Sequence, residues 1–134
     1  MARVCMAALL VFLLAGCAGN IANKAALGTE PTVYAKVLKE PDPLLLGCYL
    51  RSRPSEFNRP NSYQYCLVKK GDRYAVYYKW RDGKTMEQHE GWMPFTINGD
   101  RMISDTEPST YLVKDGGVWH NYGGRSMLSR MVRE

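Results

Sequence analysis

Two histidines and thirteen carboxylates are the groups of this chain most able to move a proton near neutral pH. His89 is followed directly by Glu90 in a polar stretch, and His120 stands alone between Trp119 and Asn121. A catalytic histidine needs a nucleophile on one side and an orienting carboxylate on the other. The strand-to-helix pattern G-x-S-x-G, a glycine-rich phosphate loop, H-E-x-x-H and the calcium-loop pattern are all absent. Carboxylate pairs for glycoside hydrolysis can be drawn from Glu87, Glu90, Asp105 and Glu107, but any chain with thirteen acids offers such pairs. The histidines are therefore expected in surface or structural roles. Neither a metal nor any other cofactor is expected, and the chain is expected not to be an enzyme. A hydrolase working through His89 or His120 stands as the most distant alternative.

The aromatic residues carry more information. Nine Tyr and three Trp stand against three Phe, and rings with a polar tip pack an apolar body inside while offering the tip to water or a partner. Trp80, Trp92 and Trp119 are candidate partner-binding residues, weighed against the plainer role of cross-strand pairs and core filling. Arg51, Arg53 and Arg59 cluster around a long polar segment, residues 52–62. With Lys69 and Lys70 they could face an anionic partner such as lipid headgroups or cell-wall polymer, weighed against a solvated charged rim.

The chain must position these groups with 134 residues, enough for one domain and too few for two separate cores. With 46% hydrophobic and 23% charged residues it is neither a disordered nor a fibrous polymer. A net charge of +5 falls short of a dedicated nucleic-acid binder, and no nucleic-acid partner is expected.

The first residues read as a targeting segment. Arg3 supplies a positive start, and residues 4–14 form an apolar run too short to cross a hydrocarbon core of ~30 Å as a helix. The run ends in Leu14-Ala15-Gly16-Cys17, which resembles the lipobox of bacterial lipoproteins: an aliphatic residue, two small residues and a cysteine. The resemblance implies a signal peptide over 1–16, cleavage after Gly16, and a lipid such as palmitate on Cys17. Each buried methylene contributes ~0.8 kcal/mol, so two or three acyl chains hold a small domain firmly on a bilayer. Ala18, where an Asp would resemble an inner-membrane retention signal, implies the periplasmic leaflet of the outer membrane. In a single-membrane bacterium the same signal implies the outer face of the cell membrane.

If Cys5 leaves with the signal peptide and lipid occupies the Cys17 thiol, as the resemblance implies, Cys48 and Cys66 remain. An exported pair in an oxidising compartment becomes a disulfide more often than it stays reduced. A redox motif would set the two cysteines two residues apart, and a thiolate metal site would need more ligands than these and two scattered histidines.

Along the mature chain, residues 18–30 read as a flexible tether. Val33, Tyr34, Val37 and Leu38 recur at helical spacing between Pro31 and Pro41, which predicts a short amphipathic helix. Residues 17–43 are thus expected to be anchor, tether and helix, and 44–134 the folded domain. From residue 44 short apolar or alternating runs are separated by Gly71-Asp72, Asp82-Gly83, Asn98-Gly99, Asp115-Gly116 and Gly123-Gly124, which is hairpin chemistry. Strands are predicted over 44–51, 63–69, 73–80, 85–89, 92–97, 101–104, 110–114, 118–122 and 126–132. Tyr74, Val76, Tyr78 and Trp80 share the inward face of the third of these. Eight or nine short strands with short connections predict an all-β fold, a small antiparallel up-and-down barrel that looks lipocalin-like in outline.

The first functional expectation is a non-enzymatic, lipid-anchored envelope protein that binds an envelope protein, a cell-wall component or a small apolar ligand. The alternative is an inhibitor of a cell-wall hydrolase such as lysozyme. Tyr65-Cys66 followed by Val76-Tyr77-Tyr78 resembles the disulfide-bonded barrel of periplasmic lysozyme inhibitors, although their central Ser-Ala-Ser-Gly segment has no counterpart here.

Overall fold

The computed structural model describes residues 27–54, 60–123 and 128–134. The expected targeting segment, Cys17, most of the expected tether, Arg59 and the side chain of Arg53 lie outside the described residues. Residues 31–134 form one compact unit.

The unit is built almost wholly of strands: β1 (Lys36–Lys39), β2 (Gly47–Pro54), β3 (Pro60–Lys70), β4 (Arg73–Arg81), β5 (Gln88–Met93), β6 (Phe95–Asn98), β7 (Arg101–Ser104), β8 (Ser109–Lys114), β9 (Gly117–Tyr122), β10 (Ser129–Arg130) and β11 (Val132–Arg133). A single-turn 3₁₀ helix, Pro43–Leu45, precedes β2. The all-β expectation holds, but the strands do not close into one barrel. They form two sheets in a sandwich-like arrangement, one in the order β1-β6-β7-β8-β9-β10 and the other β11-β2-β3-β4-β5. The chain changes sheet between β1 and β2, through the 3₁₀ turn, then at Pro94, between β5 and β6, and again at Met131, between β10 and β11. A proline has no N–H to continue a ladder, so the run predicted as one strand over 92–97 is cut into two strands of different sheets.

The helix predicted between Pro31 and Pro41 is not formed. Residues 36–39 are the strand β1, parallel to β6 with Lys36 opposite Thr96 and Val37 opposite Ile97. Ala35 donates its N–H to the Tyr74 carbonyl at 2.8 Å, so the same stretch touches both sheets. A helix confined between two prolines is too short to be stable by itself, whereas the extended chain completes ladders already present. A second difference falls at the β4–β5 connection, where a strand is predicted from residue 85. Asp82 Oδ1 accepts from the N–H groups of Lys84 and Thr85, and Met86 takes a φ of 64°. This side-chain turn holds the connection open to residue 87.

The β3–β4, β6–β7 and β8–β9 turns fall where the sequence places them, while Gly124 lies outside the described residues. Asp115 and Gly116 both have positive φ, 50° and 71°, as a two-residue turn matched to strand twist requires. Cys48 lies directly opposite Cys66 in the β2–β3 ladder, with Cα atoms 4.0 Å apart, and the two form a disulfide. It lies on the face of the sheet opposite Tyr49 and Tyr65, both of which are in the core.

That core is unusually phenolic. Tyr65, Tyr78, Tyr111 and Phe95 are its largest fully buried side chains. Tyr65 meets Tyr111 across the two sheets at 4.6 Å between centroids, and Tyr78 meets Phe95 at 6.3 Å. The 3₁₀ turn absorbs part of the polarity: Tyr49 donates to the Leu44 carbonyl and Tyr65 to that of Leu45, while Asp42 caps the turn through the Leu44 N–H.

Candidate functional site

The register across the inner face of one sheet sets four chemically distinct side chains in a row. Arg51 on β2 lies opposite Tyr63 on β3, Tyr63 opposite Trp80 on β4, and Trp80 opposite His89 on β5. Each is two residues further along its strand than, or two residues before, a neighbour on the same face, so strand periodicity alone aligns them. The row lies at the end of the sandwich that also carries the β4–β5 and β7–β8 connections.

Its inner half is sealed. Arg51 is 5% exposed and His120 on β9 is wholly buried. The Arg51 guanidinium lies over the Tyr63 ring, 5.2 Å from its centroid. The His120 imidazole stacks on Tyr111 at 4.6 Å and tilts against Tyr63 at 4.9 Å. Arg51 Nη1 is hydrogen-bonded to His120 Nδ1, and His120 Nε2 lies 3.0 Å from Ser109 Oγ on β8. A guanidinium can only donate, so Nδ1 must be the acceptor and the ring proton resides on Nε2, pointing at Ser109. A serine nucleophile requires the reverse: an unprotonated nitrogen facing the hydroxyl and a carboxylate on the far nitrogen. The Ser109–His120 pair is thus arranged as a buried structural link between β8, β9 and β2.

The outer half opens to solvent. Trp80 is half-buried, and its ring stacks on His89 at 5.3 Å with 26° between planes. His89 is exposed and its Nε2 lies 2.9 Å from Glu87 Oε1. Tyr122 borders the row from the other sheet, 5.7 Å from Tyr63, and its hydroxyl is held above the ordinary phenol range by partial burial and by Tyr63 and Glu107 nearby. Burial raises the Tyr78 and Tyr111 hydroxyls further; both lie near Ser109 and Glu107 without completing a hydrogen bond.

Of the residues singled out in the sequence, Arg51, Trp80 and His89 fall in the row and His120 borders it, while the others lie elsewhere. Arg51 does not stand on a charged rim as expected: its guanidinium points into the core. It lies six residues up the β3 ladder from Lys69, a separation of roughly 20 Å, so Arg51 and the pair Lys69 and Lys70 form no common patch. Trp92 faces the other side of its sheet, edge-on to Tyr77 at 5.3 Å, beside the disulfide row. Trp119 lies on the outside of the other sheet, with Nε1 donating to the Lys114 carbonyl at 2.9 Å and Arg130 over its ring. Of the three tryptophans, Trp80 alone belongs to the row. Tyr63, Ser109 and Tyr122 escaped sequence reasoning, although Tyr63, Tyr65 and Leu67 alternate as plainly as the residues of β4. Among the described residues no group of three or more His, Cys, Asp or Glu is placed to hold a metal ion. No protein-family profile, curated protein or solved structure matches the chain.

Proposed function

We propose that this is a lipid-anchored envelope protein that works by binding, without catalysis, and that its partner docks on the Trp80–His89 rim. The observation that carries the reading is the graded row from buried Arg51 to exposed His89. Its sealed end fixes Tyr63 and Trp80 rigidly, and its open end presents a stacked indole and imidazole beside the Glu87 carboxylate. Rigid, partly exposed aromatics bordered by polar groups are the usual anchors of protein recognition. The phenolic packing of the core favours a partner on the surface over an apolar ligand carried inside. The Nε2–H tautomer of His120 supports a non-enzymatic role. The membrane attachment rests on the lipobox resemblance at Leu14-Ala15-Gly16-Cys17.

Co-purification from cross-linked cells tests the reading with matched variants. Trp80→Ala should lose a defined envelope partner that Trp119→Ala retains, since the two indoles lie on different surfaces. Equal retention by both variants would overturn the assignment of the rim.

A further inference from the structure

The compact unit begins at Pro31, and contacts near its start, at Tyr34 and Ala35, lie at the end of the sandwich opposite the rim. Ala35 is bonded to Tyr74 near the base of β4, and the Tyr34 ring lies against Arg73, 3.7 Å from the guanidinium carbon. Two segments therefore meet there, β1 and the β3–β4 hairpin. β1 is exposed along its whole length, and its Leu38 is 60% exposed, an unusual state for a leucine in a strand. Lys36 and Lys39 flank it. The hairpin adds Lys69, Lys70 and Arg73; opposing them are Asp72, a Glu40 engaged by the Tyr74 hydroxyl, and Asp42 and Asp100, which border Lys39. Lysines on an edge strand deter pairing with other strands. That accounts for Lys36 and Lys39; Leu38 is the extra residue of a bulge between Val37 and Lys39, which turns its side chain out to solvent beside the second basic segment.

We infer that β1 and the β3–β4 hairpin form a membrane-resting surface, with Leu38 at the headgroup boundary and the surrounding cations on anionic phospholipid. The inference rests on the lipid-anchor reading for its geometry. On that reading thirteen residues separate Cys17 from Pro31, which limits the reach from anchor to domain to roughly 50 Å even at full extension. Basic residues at a membrane surface each strengthen attachment to anionic lipid, and a nearby apolar side chain adds burial. Resting on this end, the domain turns the Trp80–His89 rim away from the bilayer, toward partners in the envelope space.

Hydrogen exchange on the full chain as cells process it provides the test, on vesicles of phosphatidylethanolamine with phosphatidylglycerol and on vesicles of phosphatidylcholine alone. Exchange over 36–39 and at the hairpin turn should slow on the anionic vesicles only, and added salt should relieve it. The segment 82–87, at the other end, should exchange alike on both. Lys36→Gln and Lys69→Gln should each weaken the effect by about fivefold, the share expected for one basic residue near the surface, with the protein still vesicle-bound. Equal exchange on both vesicle types, or slowing at 82–87 instead, would overturn the inference. The mass of the peptide containing Cys17 reports the anchor independently. Should that peptide carry no lipid, salt-sensitive flotation of the chain with anionic vesicles would still support the surface, and absence of flotation would overturn it.

Discussion

The Arg51 guanidinium donates to Nδ1 of His120, and this one contact fixes the imidazole tautomer, orients Ser109 and ties β2 to the opposite sheet. Because a guanidinium cannot accept a proton, no rearrangement of hydrogens leaves Arg51 bonded there and frees Nε2 to act as a base toward Ser109. Long-range proton–nitrogen NMR should find the His120 proton on Nε2. His120→Ala should destabilise the domain by about 3 kcal/mol, since it opens a cavity and removes a partner of a buried charge. Ser109→Ala should cost only about 1 kcal/mol, the scale of one net hydrogen bond. Denaturant melts of the two variants measure both figures.

Reduction of the Cys48–Cys66 bond should lower stability by up to about 3 kcal/mol, given a sequence separation of 18. For a domain of this size that corresponds to a fall in Tm of more than about ten degrees. Calorimetry with and without reductant decides it, and an unchanged Tm would show that the ladder alone sets the register of β2 on β3.

Val76 is fully buried between the sheets, whereas Lys79 lies on the opposite face of β4, across from Glu90. Val76→Asp should unfold the domain, because an unpaired buried carboxylate costs several kcal/mol. Lys79→Asp should cost only about 0.5–1 kcal/mol, from the like charge facing Glu90. Circular dichroism melts of the pair test the facing of the strand.

Tyr65, Tyr78 and Tyr111 all have hydroxyls raised above the ordinary phenol range, chiefly by burial. For an acid raised in the folded state, the native chain holds its proton longer than the unfolded chain does. The stability this confers is fully present below the unfolded value of about 10 and declines as the pH rises above it. Tyrosinate absorbance should therefore titrate in two stages, the less buried rings first and these three only together with loss of near-ultraviolet ellipticity. A single smooth titration with the fold intact would contradict the packing.

Cys17→Ser should leave the precursor unlipidated and uncleaved, since serine offers no thiol for the acyl transfer that the lipobox resemblance implies. Fractionation and mass analysis check it: a mature-sized, membrane-retained product would remove the anchor from the account.

Much of this architecture was legible in the chain because it is written in local periodicity. Alternation in Tyr74, Val76, Tyr78 and Trp80 gave the inner face of β4, and the Asp-Gly and Asn-Gly pairs placed the turns. The segment between Pro31 and Pro41 misled because apolar spacing at 33, 34, 37 and 38 fits a helix, while the partners that make it a strand lie about forty and sixty residues away, at Tyr74 and β6. Closure misled for a related reason. A strand bend at Pro94 divides the sheets, and from sequence a proline in an apolar run marks a break without saying which sheet the chain joins next. The site was the least legible. Arg51 read as a rim charge because arginine seldom lies inside, and its burial depends on His120, 69 residues further on.

Photo-crosslinking in living cells from position 89 tests the central claim most directly, with position 114 on the opposite end of the fold as reference. The account predicts a discrete adduct with one envelope partner from position 89, absent from position 114 and abolished by Trp80→Ala. No adduct from position 89, or the same adducts from both positions, would contradict it.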